Sequence, residues 1–343
     1  MANSWQYPGP TNVYLPSLEA SGKLIVHYSK NPDEFALNRY AGITNVKDWV
    51  GRYLRMHSAD TVRTLSAASD DKVWQDGAQM PDPGVHIGHE YHPFNCRRYV
   101  ESFALGDQTV SSADWDIIAT YAAGAASLIM THRSRFALTV LDTAGNWEGN
   151  TATAAALGGD VWDTGTATDP HIKLTLMGAF RQIALATNGK VRPSDLTLIV
   201  SPVLASEMAV SQEIHSYVKE SPFSGNVLQG DGIFATWGIP QKLYGLGEVV
   251  VEDTVLNTAH RGSADSFSFA KGATSAVLVC RKDGLSSPAG GTTFNTLTGF
   301  FQEELGVEVM NDINNRRQIG RCVSTFDYKL TAPDSGLLIT SVS

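Results

Sequence analysis

The chain has 343 residues, with 26 Lys and Arg against 35 Asp and Glu, so its formal net charge is −9. An apolar content of 43% excludes an intrinsically disordered chain, and the length suits about two or three domains or one large one. Charged residues make up only 18% of the sequence, against about 25% in typical globular proteins. A chain so poor in charge either buries an unusual share of its surface or presents much of it to partners.

Several classes of protein are disfavoured at once. The sequence has no long basic run, which argues against a tightly held nucleic acid. An odd set of widely spaced cysteines, Cys96, Cys280 and Cys322, is typical neither of a disulfide framework nor of a zinc site; we interpret them as small buried apolar residues in a reducing cytoplasm. Residues 1–18 lack the basic start and apolar centre of a signal peptide. No apolar run approaches the roughly 20 residues of a membrane span.

The N-terminal segment is unusual because residues 1–18 carry no charged side chain and include Pro8, Pro10 and Pro16. This composition predicts an extended arm. The arm is either a disordered tail or a segment that lies across a neighbouring subunit, and residues 23–57 follow it with short mixed structure.

A long hairpin is predicted next, over residues 59–105. Two β-prone stretches, 61–65 and 98–105, flank a polar middle that is rich in Asp, Pro and Gly. An isolated hairpin is only marginally stable in water, so we expect it to rest on another part of the structure.

The clearest helix is predicted over residues 112–140. Apolar side chains recur there at helical spacing from Ile117 to Phe136. Ser111 and Ser112 offer N-cap hydroxyls, and Ser111 with Asp114 approximates a capping box. At about 1.5 Å per residue such a helix is roughly 40 Å long.

Helices and strands alternate in the middle of the chain. Residues 143–168 form a predicted loop, Asp169 and Pro170 open a helix that stops at Asn188 and Gly189, and Ser201 and Pro202 open another that runs to Val218. Predicted strands cover 196–200, 248–252, 276–281, 318–328 and 337–341, with an uncharged Gly/Ser/Thr-rich stretch at 284–302. Because the alternation is confined to the middle, the pattern predicts an α+β protein.

One cluster could bind a metal. His86, His89, Glu90 and His92 include imidazole and carboxylate groups that ligate zinc or iron. Neighbouring Pro and Gly residues do not allow the helix on which zinc proteases place two such histidines. Solvated histidines in a loop are the alternative interpretation, and no metal ligand is assigned.

Other searches for chemistry find nothing. The sequence has no phosphate-binding loop, no dinucleotide-binding glycine pattern and no serine nucleophile elbow. The adjacent carboxylates Asp70–Asp71 and Glu303–Glu304 are interpreted as solvated charges, since neighbouring residues of a strand face opposite ways. Cys280 is predicted to be a core residue of a strand. No catalytic or cofactor-binding residue is assigned, and the protein is not expected to be an enzyme.

The order of these elements nevertheless resembles that of the major capsid proteins of tailed bacteriophages, which have the Hong Kong 97-type fold. The likeness runs from about residue 59 to the C-terminus. It rests on the hairpin, the long Ala-rich helix, the strand at 196–200 that leads into Ser201 and Pro202, and the turn at residues 237–240. An acidic and aromatic segment at 300–304 then leads into the closing strands.

The resemblance implies a layout and a function. Residues 1–58 would be the N-terminal arm and lead-in, 59–105 the extended loop, and 106–159 the peripheral domain with its spine helix. Residues 160–285 would be the axial domain, and 286–343 the return to the peripheral domain. The protein would assemble with copies of itself into the pentamers and hexamers of an icosahedral head. It would be made in the host cytoplasm and would enclose double-stranded DNA without binding a specific sequence.

The resemblance also implies scaffold, portal and decoration proteins as possible partners. The charged N-terminal scaffolding region of some family members has no counterpart after Met1, so we expect either a separate scaffold protein or another route of assembly. Two alternatives stay open: an encapsulin-like nanocompartment shell, and a metal-dependent enzyme that uses His86, His89, Glu90 and His92.

Overall fold

A computed structural model describes residues 29–56, 76–77, 88–113, 116–162, 171–219, 234–235, 237–260, 262–282 and 294–343. The predicted arm at 1–18, the predicted strand at 61–65, the helix start at Asp169 and Pro170, and residues 284–293 lie outside this description.

Six α-helices are present in the described residues. They are α1 (Leu37–Tyr40), α2 (Asp107–Ser112), α3 (Ile117–Asp142), α4 (His171–Ala186), α5 (Pro202–Val210) and α6 (Gln212–Lys219).

The described strands fall into two larger sheets and three short ribbons. They are β1 (Gly42–Asn45), β2 (Val50–Met56), β3 (His89–Asn95), β4 (Arg97–Gly106), β5 (Thr151–Thr153), β6 (Leu196–Val200), β7 (Phe234–Ala235), β8 (Ile239–Pro240), β9 (Glu248–Val251), β10 (Val255–Asn257), β11 (Phe267–Phe269), β12 (Ser275–Lys282), β13 (Phe294–Asn295), β14 (Leu297–Asp312), β15 (Arg317–Leu330) and β16 (Leu337–Thr340).

The central sheet has the order β5-β16-β12-β6-β9, and β13 pairs with the end of β12. Its side chains alternate between two cores, as the pleat of a strand requires. On β12, Leu278 and Cys280 face α4 and α5 in one core. Val277 and Val279 face the C-terminal half of α3 and the second sheet in the other. The predicted α+β class is therefore confirmed, and burial on both faces explains why these strands are almost entirely apolar.

The second sheet has the order β1-β14-β15-β4, and α3 packs along one of its faces. Near the middle of α3, Ala125, Ala126 and Ile129 contact Cys322 of β15, with Phe103 of β4 beside them. The small Ala side chains let the helix approach the sheet closely. The predicted long helix is confirmed, and it packs against this sheet.

The helix α3 begins later than predicted. Ser111 and Ser112 do not cap it, because they end the separate helix α2 and donate their hydroxyls back to the Gln108 carbonyl oxygen. Asp116 is the cap: its Oδ1 accepts a hydrogen bond from the Ala119 amide at 2.9 Å.

The strand at 61–65, the predicted partner of 98–105 in the hairpin, lies outside the described residues, so that pairing stays a prediction. The strand predicted at 98–105 is present as β4, and it pairs antiparallel with β15, from Arg97↔Phe326 to Gly106↔Arg317. The described ribbon joins β2 to β3, from Val50↔Asn95 to Met56↔His89. It therefore starts inside the segment predicted as the lead-in to the loop.

Two further differences concern the middle and the end of the chain. The helix predicted to run to Val218 is broken at Ser211, whose hydroxyl donates to the Met208 carbonyl of α5 and accepts from the Ile214 amide of α6. The residues at 297–302, part of the uncharged Gly/Ser/Thr-rich stretch for which no strand is predicted, begin the 16-residue strand β14.

Candidate assembly surfaces

A stack of four rings holds the β2–β3 ribbon at the end that lies against the second sheet. His92 stacks on Tyr53 with ring centroids 5.4 Å apart, Tyr53 on Phe300 of β14 at 5.7 Å, and Phe300 on Phe94 at 4.4 Å. The Tyr53 hydroxyl also donates to the Leu330 carbonyl at 3.3 Å. The ribbon is thus fixed to the face of the second sheet opposite α3.

An ion pair holds the ribbon farther along its length. Arg55 donates to both carboxylate oxygens of Glu148, at 2.9 and 2.5 Å, and lies 3.4 Å from a carboxylate oxygen of Glu90. Between the ring stack and this pair lies a cavity of about 230 Å³. In the described residues, the ribbon therefore contacts the rest of the subunit through the small apolar cluster around Phe94 and Phe300 and through the Arg55–Glu148 ion pair.

The candidate metal ligands do not converge. His92 Nε2 lies 3.3 Å from Glu90 Oε2, whereas His89 is an odd number of residues away on the same strand and faces the other side of the ribbon. His86 lies outside the described residues. Across the described part of the chain, no group of three or more His, Cys, Asp or Glu side chains could hold a metal ion.

The other residues considered for chemistry are engaged in structure. Cys96, Cys280 and Cys322 are free and buried, as predicted. Burial raises the pKa of Cys280 to about 12, so its thiol stays protonated at neutral pH. Of the adjacent carboxylates, Glu303 lies 3.7 Å from Arg98, Glu304 is exposed, and Asp70 and Asp71 lie outside the described residues.

A buried carboxylate ties the N-terminal segment to the central sheet. Glu252, just beyond β9, is 0% exposed and accepts hydrogen bonds from the Tyr40 hydroxyl of α1 at 2.7 Å and from the Thr254 hydroxyl at 2.5 Å. Nearby, Lys30 Nζ lies 2.7 Å from Asp253. These contacts fix the direction in which the chain enters the fold. Sequence periodicity missed Glu252, because a charged residue at a strand end ordinarily indicates exposure.

The second sheet exposes apolar side chains at its far end. Val100 of β4 and Val307, Val309 and Met310 of β14 are each between 42% and 49% exposed, and Ile313 in the following turn is 81% exposed. Together with the ribbon, this end of the sheet presents apolar side chains that a single subunit leaves exposed.

Comparison with known families accounts for this architecture. Residues 97–329, more than half of the chain, match the family described as phage capsid protein. The chain belongs to the phage capsid protein family.

Solved structures agree with the family. A phage-related protein from Bordetella bronchiseptica is similar with a TM-score of 0.59 at 15% identity, over 90% of this chain and 93% of that one. The capsid of the cyanophage P-SCSP1u gives 0.56 at 11%, over 98% and 93%. The mature capsid of bacteriophage PhiM1 gives 0.53 at 14%, over 92% and 89%. No curated protein matches.

The capsid protein therefore has the predicted Hong Kong 97-type fold, and it is a phage capsid shell protein. No helix among its described residues is long and apolar enough to cross a membrane. The family gives a physical reason for the surfaces described above, since a projecting ribbon and an exposed apolar end of the second sheet suit a subunit that completes its surface with other copies.

Breaking the ring stack is expected to loosen the ribbon of the capsid protein without unfolding its core. In Tyr53→Ala, His92 loses its ring partner and Phe300 loses one of two, so limited proteolysis should cut the ribbon faster while the free energy of unfolding of the subunit changes little. Tyr91, on the opposite face of the ribbon and 67% exposed, is the matched control, and Tyr91→Ala should be cut at the wild-type rate. Equal rates for both variants would contradict the anchoring role of the stack.

The Glu252 cluster of the capsid protein is expected to make stability depend on pH. Burial raises the pKa of Glu252 above its ordinary 4.5, although the Thr254 and Tyr40 hydroxyls oppose this. The folded state therefore holds the proton more tightly than the unfolded state. The resulting contribution is fully present below about pH 4.5 and is lost as pH rises through the raised pKa.

In Glu252→Gln this contribution is absent. The free energy of unfolding of the wild type should therefore fall relative to that of the variant as pH rises from 4 to 7. Urea titrations of the unassembled subunit at several pH values measure the difference.

Tyr40→Phe removes a donor from a buried carboxylate and should cost about 1–3 kcal/mol at neutral pH. The neighbouring Asp253→Asn removes a charge that contributes to the raised pKa of Glu252, so it should weaken this pH dependence in part, whereas Glu252→Gln abolishes it.

Proposed function

We propose that this protein is the major subunit of an icosahedral phage head and assembles into hexamers and pentamers that enclose double-stranded DNA. The observation that carries the proposal is the family match over residues 97–329 on a chain with the capsid fold. The ribbon and the open end of the second sheet support it, because both are surfaces that another subunit can cover.

The proposed layout follows the capsid fold. Residues 1–58 are the arm and lead-in, 59–105 the extended loop, 106–159 the peripheral domain with α3 as its spine, 160–285 the axial domain, and 286–343 the return to the peripheral domain. Within this layout, β2 extends the loop back into the lead-in, and the C-terminal strand β16 lies in the central sheet between β5 and β12.

The net charge of −9 supports a shell that encloses DNA without holding it tightly. Sequence-independent DNA affinity needs clustered Lys and Arg, and strong contacts at an inner wall would hinder both packing and release. We infer that synthesis takes place in the host cytoplasm and that scaffold, portal and decoration proteins complete the head.

Electron microscopy of the purified, full-length protein tests the proposal. Uniform icosahedral particles with pentameric and hexameric clusters are expected. A monodisperse monomer or dimer under all conditions of salt, pH and protein concentration would refute it. Empty particles that bound duplex DNA tightly at physiological salt would contradict the part that concerns DNA.

A further inference from the structure

Among the described residues, the second sheet has two open edges. Every residue of β4 pairs with β15 on one side, and no described strand pairs with β4 on the other. Of the described strands, β1 covers residues 298–301 of β14 and none covers residues 303–312 along their outer side. In the described part of the chain, the outward backbone N–H and C=O groups of these two edges have no backbone partner. Open edges of this length are ready to pair with another chain.

The two edges have the same register relative to β15, the strand between them. Ser102 of β4 and Glu308 of β14 both lie opposite Arg321 of β15, and Ala104 and Met310 both lie opposite Ile319. Because β4 and β14 are each antiparallel to β15, they run in the same direction. A second copy that is rotated about an axis parallel to the strands can therefore place its β14 edge beside the β4 edge of the first copy. The two strands then form a parallel pair, and neither copy has to move along the strand direction.

Charge disfavours the pairing of two β14 edges with each other. Residues 303–312 of β14 carry four carboxylates and no Lys or Arg, whereas residues 97–106 of β4 carry Arg97, Arg98 and Glu101. Two β14 edges would set carboxylates against carboxylates, which is unfavourable for residues directly opposite one another. The acidic edge of one copy and the more basic edge of the next are complementary.

The edges also lack two common forms of protection, Pro and Lys. Neither 97–106 nor 303–312 contains Pro or Lys, the residues that commonly block edge pairing. Val100, Val307, Val309 and Met310 instead lie half-exposed along them, and pairing would bury these apolar side chains. The register shifts that bend β14 end at Gly306, and residues 306–312 form a regular ladder.

We propose that the outer edge of β4 in one subunit pairs with the outer edge of β14 in a second copy, so that neighbouring subunits share a continuous β-sheet. The contact is heterologous, and its repetition about an axis closes a ring. The proposal rests on the proposed shell function and specifies one of the contacts that build the shell.

Disulfide trapping tests the contact. Within one subunit, Ala104 and Met310 flank β15 and lie two strand spacings apart, roughly 9–10 Å, which is beyond the reach of about 7 Å for a disulfide. Across the proposed interface they are neighbours on the same face of the sheet. Assembled particles of Ala104→Cys/Met310→Cys should therefore give covalent multimers on a non-reducing gel after mild oxidation.

The matched control is Ala104→Cys/Val309→Cys, because the Val309 side chain points to the face that carries α3. It should remain monomeric on the gel. Particles of the Met310 variant that also yield only monomers would overturn the inference while leaving the shell function intact. Failure of the wild-type protein to form particles would instead refute the proposed function.

A charge variant tests the same contact without cysteine. Ser102→Glu places a carboxylate beside Arg321 within the subunit, so the fold should be retained, but opposite Glu308 of the next copy. Its yield of particles should fall about tenfold, as for a loss of 1.4 kcal/mol per contact. Ser102→Gln, which adds a side chain of the same length without a charge, should assemble normally, and Ser102→Glu/Glu308→Lys should recover the yield. Normal assembly of Ser102→Glu alone would overturn the inference.

Discussion

Replacing Trp147 with alanine is expected to lower the free energy of unfolding of the subunit by about 3–5 kcal/mol. Trp147 is 0% exposed and lies where α3 meets the central sheet, in the core that contains Val277, Val279 and Leu338. Removal of its indole ring would leave a cavity between two rigid layers, which can collapse only in part. Urea unfolding of the unassembled subunit measures the loss.

Trp147 also caps the helix, and a second variant separates this role from packing. Its indole Nε1 donates to the Leu141 carbonyl at 2.7 Å, next to the bond from the Asn146 amide to the Val140 carbonyl. Both carbonyls lie in the last turn of α3, where the helix offers them no partner. Trp147→Phe retains most of the ring but not the donor, and should cost about 1–2 kcal/mol. Equal losses for the alanine and phenylalanine variants would show that the cap, and not the packing, carries the effect.

The elements that the sequence predicts best are those whose surroundings are uniform. All five residues of β6 are buried, so a run of apolar residues with a single Thr, set between turn signals, is sufficient to place it. The end of α4 was predicted from Asn188 and Gly189, and both adopt the left-handed backbone conformation there, with φ of 57° and 73°.

The strand β14 was missed because its surroundings change along its length. Its first five residues are buried and its last half is largely exposed, so neither strict alternation nor a continuous apolar run describes it. Gly299 and Gly306 also weaken the strand signal. Gly299 is required because a Cβ there would lie 2.7 Å from the Phe301 ring and 2.8 Å from the Tyr328 ring, a contact that the sequence does not reveal.

The pairing of β4 shows a different limit. Local sequence places a strand at residues 98–105, but its partner β15 lies more than 200 residues farther along the chain. A partner at that distance is selected by how α3 and the two sheets pack together, and propensity carries no information about it. The same reasoning applies to Glu213, which accepts hydrogen bonds from the first amides of α4, Ile172 and Lys173, across a separation of about 40 residues.

The shortage of charge now has a structural explanation in part of the chain. The uncharged run at 117–131 is the half of α3 that packs on the second sheet through Ala125, Ala126 and Ile129, while Leu128 of the same run stays about half exposed. Internal burial therefore accounts for one side of this helix. The other side, like the apolar edges of the sheet, is suited to contact with another subunit.

Loss of the partner of a buried lysine is the second large expected effect. The Lys271 side chain, before β12, is 0% exposed; its ammonium donates to Asp142 at the end of α3 and to the Ser275 hydroxyl at 2.6 Å. Asp142→Ala leaves this charge buried with only one neutral partner. Because breaking a buried pair from one side costs about 3–5 kcal/mol and Asp142 is itself about one-third exposed, we expect a loss near 3 kcal/mol.

The dependence on pH identifies the cause. Burial lowers the pKa of Lys271 below its ordinary 10.5, although Asp142 opposes this. The folded state thus holds the proton less tightly than the unfolded state, and the cost of the buried charge is relieved as pH rises from the lowered pKa towards 10.5. The loss of free energy of unfolding caused by Asp142→Ala should therefore shrink between pH 7 and pH 10.

Lys271→Met removes the charge and keeps the volume of the side chain. It should therefore cost less free energy of unfolding than Asp142→Ala at pH 7, and its cost should not depend on pH in this way. An Asp142→Ala loss that stayed constant with pH would mean that the carboxylate acts on the helix end and not on Lys271.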